Sequence, residues 1–164
     1  MNPRTNKQLP TPSDAQKTIL LVDDDPSILQ MVGRVLHEEG YLVLNAANGA
    51  EALGIAETNR IDLILLDLNM PVQNGWDTFE RLTARDPLTA VIIITGRPNQ
   101  LFTSLGAGVG ALLEKPFNYP TLLKTIKNLL AESAELRIAR LAGENAGFHY
   151  HRAVDSEVTA GRTK

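Results

Sequence analysis

At 164 residues, with 43% hydrophobic and 21% charged side chains, the chain has the make-up of one folded domain with appended segments, which excludes a disordered or low-complexity protein. It contains no cysteine, so disulfide staples and thiolate metal sites are excluded. The net charge of -3 comes from residues 17–130, where thirteen acidic side chains face nine basic ones, and no segment carries the basic stripe of a nucleic-acid binder.

Residues 1–16, "MNPRTNKQLPTPSDAQ", are rich in proline and small polar residues and predict a flexible leader. It lacks the apolar core of a signal peptide, and no apolar run approaches the ~20 residues of a membrane span. A cytoplasmic protein without membrane contact is therefore expected. After the leader, short apolar runs ("TILLV", "LVLNA", "LILLD", "VIIIT", "ALLE") alternate with stretches of helical period. Runs without period-two alternation suit strands buried on both faces of a parallel sheet, so the fold class is a doubly wound, five-stranded α/β domain with helices on both faces. Helices are predicted over residues 27–39, 49–58, 75–85, weakly over 100–105, and from 120 to about 142. Pro120 suits a first helical turn and Gly40 a helix stop. The domain body is read as 17–130, with 131–142 extending the last helix and 143–164 a mobile tail.

Ligands of an open parallel sheet bind beyond the carboxyl ends of its strands. Asp23 and Asp24 follow the first strand, Asp67 ends the third, Thr95 ends the fourth and Lys115 follows the fifth. Three acids, a hydroxyl and an ammonium are thus expected at one edge. The run Asp23, Asp24, Asp25 needs its own account, because two carboxylates ~4 Å apart repel by about 4 kcal/mol at an effective dielectric of ~20. Asp25 precedes Pro26 at the start of a helical stretch and reads as its N-cap, facing the positive end of the helix dipole. Asp23 and Asp24 are left to be neutralised by something else. Gly96, after Thr95, leaves room for a reactant. His149 and His151 in "FHYHR" are read as surface residues of the tail, His37 as a solvated helix residue, and Trp76 as packing.

The segments "LLVDDDP", "LILLDLNMPVQNGWD", "VIIITG" and "EKPF" occur here in the order and near the spacing of one family. Over about residues 17–130 the sequence resembles a response-regulator receiver domain, the phosphoacceptor half of two-component signalling. The resemblance implies the flavodoxin-like strand order 2-1-3-4-5. It also implies that Asp67 is the phosphoacceptor, and that Mg²⁺ is held by Asp24 and Asp67 directly, by Asp23 through water and by the backbone carbonyl of Asn69. Lys115 and the Thr95 hydroxyl would then meet phosphoryl oxygens, and the Lys115–Pro116 bond would be cis. A phosphoacceptor rather than a classical enzyme follows, phosphorylated by a histidine kinase or a histidine phosphotransfer protein and signalling to a downstream protein.

The sequence departs from the family at Leu112, three residues before the lysine, where many receivers carry Tyr or Phe. Gly106, Gly108 and Gly110 crowd the segment before the fifth strand and predict a short fourth helix. About 34 residues follow Leu130, too few for an ordinary independent core, so a stand-alone receiver is expected. Three rival readings fit the residues less well. A haloacid-dehalogenase-like phosphatase needs a second acid two residues after its nucleophile, and Asn69 cannot protonate a leaving group. A receiver-like module that is not phosphorylated would lack one of the acids or the lysine. A flavin protein of the same fold would need a Ser/Thr/Gly-rich phosphate loop after the first strand, and the three aspartates stand there instead.

Overall fold

The computed structural model describes residues 15–71, 74–97 and 99–154; most of the leader and the last ten residues of the expected tail lie outside them. In chain order the elements are β1 (Thr18–Val22), α1 (Pro26–Glu38), β2 (Leu42–Ala46), α2 (Gly49–Thr58), β3 (Leu63–Asp67), α3 (Gly75–Arg85), β4 (Ala90–Thr95), α4 (Leu101–Gly106), β5 (Ala111–Glu114), α5 (Tyr119–Leu130), α6 (Ala134–Leu141) and β6 (His149–His151). All strands are parallel, in the order β2-β1-β3-β4-β5-β6. The five expected strands hold the expected order. The sixth extends the sheet beyond β5.

Alternate residues of each strand supply two cores. Ile19, Leu21, Leu63, Leu65, Ile92 and Leu113 pack under Val32 and Leu36 of α1 and Leu122, Ile126 and Leu129 of α5. On the other face, Leu20, Val22, Ile64, Leu66, Ile93 and Leu112 pack with Phe79 and Leu82 of α3 and Ala52 of α2. Each fully buried Leu or Ile stabilises the fold by about 1.5–3 kcal/mol. The near-continuous apolarity of β1, β3 and β4 is thereby explained, since both faces of each strand are covered. Strand β2 lies at the sheet edge, with Leu42 and Asn45 exposed and only Ala46 buried, so it departs from the expectation of burial on both faces.

The C-terminal third corrects two expectations. The last helix does not run on to about residue 142. It stops at Leu130, and Ser133 caps a separate helix, its hydroxyl accepting from Leu136 N–H at 3.3 Å. Apolar residues continue at helical spacing across the break, although Leu136, Ile138 and Leu141 of the second helix are exposed, so periodicity could not reveal it. Two arginines hold the junction between the two helices. Arg140 is buried and pairs with both oxygens of Glu132, at 2.7 and 2.9 Å, and donates to Ala146 O. Arg137 donates to Leu129 O and Leu88 O, satisfying carbonyls at the end of α5 and in the turn before β4. Gly143, at φ +90°, then ends α6: its N–H reaches Arg140 O while Glu144 N–H reaches Ala139 O.

Residues 149–151, expected in a mobile tail, pair with β5 in the register Ala111↔His149, Leu112↔Tyr150, Leu113↔His151. His151 is therefore no free surface residue. Its Nε2 lies 3.1 Å from Thr125 Oγ1, whose own proton goes to Thr121 O at 2.7 Å, so the imidazole must be the donor. Burial, with the positive charges of His149 and Lys124, holds the His151 imidazole below the usual histidine range. The folded state thus binds this proton less firmly than the unfolded one, and stability falls as pH drops through ~6.5. Thermal melts at about pH 7.5 and about pH 5 are expected to show a loss that shrinks in His151→Gln. An unchanged loss in that variant would place the titrating group elsewhere.

Candidate functional site

Strand register brings the site together. Val22 is level with Leu66, Asp67 with Ile94, and Thr95 with Glu114. Asp23, Asp67, Thr95 and Lys115, each at or one residue past a strand end, therefore converge at the carboxyl edge. Gly75 sets the depth of the next helix there. A Cβ at this position would lie 2.6 Å from Leu68 Cα, so α3 starts against the residue after Asp67 only because residue 75 is glycine.

Asp23 and Asp67 are each 3% exposed. Asp23 accepts from Asp25 N–H at 2.9 Å and Asp67 from Asn69 N–H at 2.9 Å. Their remaining oxygens both face Lys115 Nζ, at 3.2 and 3.3 Å respectively. Asp24 is exposed, yet it can bring one carboxylate oxygen within 4.8 Å of oxygens from the other two. Burial pushes the Asp23 carboxyl up, against the pull of the Asp25 N–H and Lys115, with the charge of Asp67 adding to the rise. For Lys115 burial acts to lower the ammonium, but the charges of Asp67 and Asp23 and their hydrogen bonds outweigh it and hold it above its ordinary value. Three carboxylates and one ammonium leave a formal charge of two minus on this edge.

Thr95 is fully buried, its oxygen accepting from Arg97 N–H at 3.0 Å. Beside it, the nearest atom to a Cβ built at Gly96 is Asn69 Nδ2 at 3.2 Å, and Asn69 Oδ1 is buried without a partner. Asp25 stands apart from the cluster as the cap of α1, with Oδ1 accepting from Ser27 N–H at 2.8 Å. The Lys115–Pro116 bond is cis. Trp76 packs edge-on against Phe79 and donates from Nε1 to Gln100 Oε1 at 3.0 Å, joining the starts of α3 and α4. Helix α4 has only six residues and no side-chain cap.

Leu112 is buried in β5, level with Tyr150 of β6. Tyr150 packs on the same core and its hydroxyl donates to Glu114 Oε1 at 2.6 Å. Sequence reasoning missed this aromatic, because "HYH" is three residues long and carries no apolar run. A weak signal existed in Glu114, a charge closing an otherwise buried strand.

The sequence matches the response regulator receiver domain family over residues 19–127. It is 40% identical over 117 residues to the transcriptional regulatory protein CpxR of Escherichia coli, which is 70% of this chain and 50% of that protein. The chain thus spans about half the length of that curated relative, and 27% of another. Among solved structures, a CheY-like receiver domain protein of Methanospirillum hungatei superimposes with a TM-score of 0.68 at 36% identity, covering 71% of this chain and 94% of that one. The response regulator TrrA of Thermotoga maritima, solved in complex with Mg(2+)-BeF, gives 0.64 at 30% identity, covering 70% and 99%. Family match, strand order and the convergent acids agree, and the chain belongs to the response regulator receiver domains, signalling domains that accept phosphoryl groups from histidine kinases.

Proposed function

We propose that this domain takes a phosphoryl group onto Asp67 from a phosphohistidine donor, in a Mg²⁺-dependent reaction, and signals through a contact with another protein. The observation that carries the reading is the position of Lys115 Nζ, shared between Asp23 and the buried Asp67 beside Asp24 and Thr95. The residues fit the metal. Their donors are hard carboxylate oxygens, they converge within 4.8 Å, and their uncompensated charge of two minus matches one divalent cation. Asp24 and Asp67 would ligate it directly, with Asp23 through water and Asn69 by its backbone carbonyl. Bound there, Mg²⁺ supplies charge neutralisation for the phosphoryl oxygens.

The protein's own residues do the rest. One Asp67 oxygen attacks phosphorus, the P–N bond of the donor breaks, and the electron pair leaves with the imidazole nitrogen while the other ring nitrogen keeps its proton, giving an acyl phosphate and a neutral histidine. Asn69 N–H holds one Asp67 oxygen, which fixes the carboxylate in the loop after β3. Lys115 leaves its carboxylate partners for a phosphoryl oxygen, and Thr95 turns its hydroxyl to another. Gly96 keeps the approach free of a side chain. The acid excess favours a protein over nucleic acid as the downstream partner.

Acetyl phosphate with Mg²⁺ should add one phosphoryl group per chain, seen by intact mass, with acetate as the leaving group. Asp67→Asn should take up none, and chelation of the metal should abolish labelling of the wild type. Equal labelling of Asp67→Asn would refute the assignment.

A further inference from the structure

Residues 149–154 follow β5 and the turn carrying Lys115 along their whole length. His149 N–H donates to Gly110 O at 3.1 Å, three residues pair in register, and Val154 N–H donates to Pro116 O at 2.9 Å. Between these ends, Glu114 accepts from the Tyr150 hydroxyl at 2.6 Å on one oxygen and from Ala153 N–H at 3.3 Å on the other. Both chain neighbours of Lys115 are therefore held by the same strap. Lys115 itself has one backbone tie, its N–H to Thr95 O at 2.8 Å. The strap's entry is also fixed, through the buried Arg140 that grips Glu132 and Ala146 O. The strap and its entry, residues 132–154, lie outside the shared domain. The family match ends at residue 127, and the Methanospirillum and Thermotoga structures are covered almost completely by about 70% of this chain.

We propose that Tyr150, Glu114 and Val154 are positioning residues for Lys115. The inference rests on the phosphoacceptor reading above. Lys115 must exchange two carboxylate partners for an anion oxygen, and the gain from that exchange depends on how little freedom the turn still has to lose. A turn held on both sides of the lysine is already ordered. Release of the strap leaves the metal ligands in place but loosens the ammonium. By reciprocity, an anion that captures Lys115 tightens the strap.

The test uses the full chain and beryllofluoride with Mg²⁺ as the phosphoryl-like probe. Tyr150→Phe removes the hydroxyl and keeps the ring; Val154→Pro removes one N–H donor at a residue 42% exposed. Each variant is expected to bind beryllofluoride about threefold to tenfold more weakly, as for loss of part of one hydrogen bond to a charged or turn group, with Mg²⁺ affinity unchanged. In a Lys115→Ala background neither should weaken binding further. Amide exchange at Ala153 and Val154 of the wild type should slow when beryllofluoride binds. Wild-type affinity in both variants would overturn the proposal, as would an equal loss in the Lys115→Ala background, which marks a purely structural effect. If Val154→Pro melts below the assay temperature, Tyr150→Phe decides. Wild-type protein that binds Mg²⁺ but no beryllofluoride would instead refute the phosphoacceptor reading, a failure visible before any variant is made.

Discussion

Lys115→Met is expected to lower stability by about 3 kcal/mol at neutral pH and to abolish phosphoryl uptake. The ammonium is the partner of two carboxylates whose side chains are 4% and 3% exposed. Without it, Asp23 and Asp67 are left facing each other with no cation between them, and removal of one partner from a buried ion cluster costs about 3–5 kcal/mol. The lower end applies because Lys115 is itself 27% exposed and water can follow the side chain out. Burial already works against the charge of Asp23 and raises its carboxyl. The double variant Lys115→Met with Asp23→Asn should therefore regain most of the lost stability in urea denaturation while remaining unlabelled by acetyl phosphate. That split separates the lysine's two roles. A single variant as stable as the wild type would mean that the ion cluster contributes nothing to folding, and a labelled double variant would remove Lys115 and Asp23 from the chemistry.

The parts of this molecule legible in its sequence are those in which one local rule acts alone. Apolar runs marked β1, β3 and β4 because both faces of those strands are covered, and strand ends then sorted Asp23, Asp24, Asp67, Thr95 and Lys115 onto one edge. Asp25 followed by Pro26 marked the cap of α1, and the structure has that bond. The features that escaped depend on contacts distant in sequence. Arg140 is buried only because Glu132 and the Ala146 carbonyl meet it, and a charged residue at that spacing ordinarily reads as solvated. The break between α5 and α6 was hidden by an apolar period that both helices share, although Ser133 before Glu135 is a helix-start signal in its own right. Strand β6 is shorter than any periodicity can detect. It exists because β5 offers an open edge and Glu114 a half-buried acceptor, and neither fact is visible from "HYH" alone.

The three successive aspartates should separate in one pair of thermal melts, because they are neutralised by different means. Asp25 is met by the first turn of α1, where its oxygen accepts from Ser27 N–H at 2.8 Å. Asp23 is met by Lys115 and by the Asp25 N–H. Asp24 is exposed and has neither partner among the described hydrogen bonds, so its repulsion with Asp67 is left to solvent and to a bound cation. Asp24→Asn removes one repelling charge and one proposed metal ligand together. Without metal it should be as stable as the wild type or slightly more so, yet gain little when Mg²⁺ is added, whereas the wild type gains RT ln(1 + [L]/Kd). It should also label poorly with acetyl phosphate. Asp25→Ala should lose about 1 kcal/mol of capping in either condition and keep the full metal response. Should Asp25→Ala abolish the metal response while Asp24→Asn retains it, the division of the three aspartates would be reversed, and the cation would have to sit on the helix side of the loop rather than over Asp67.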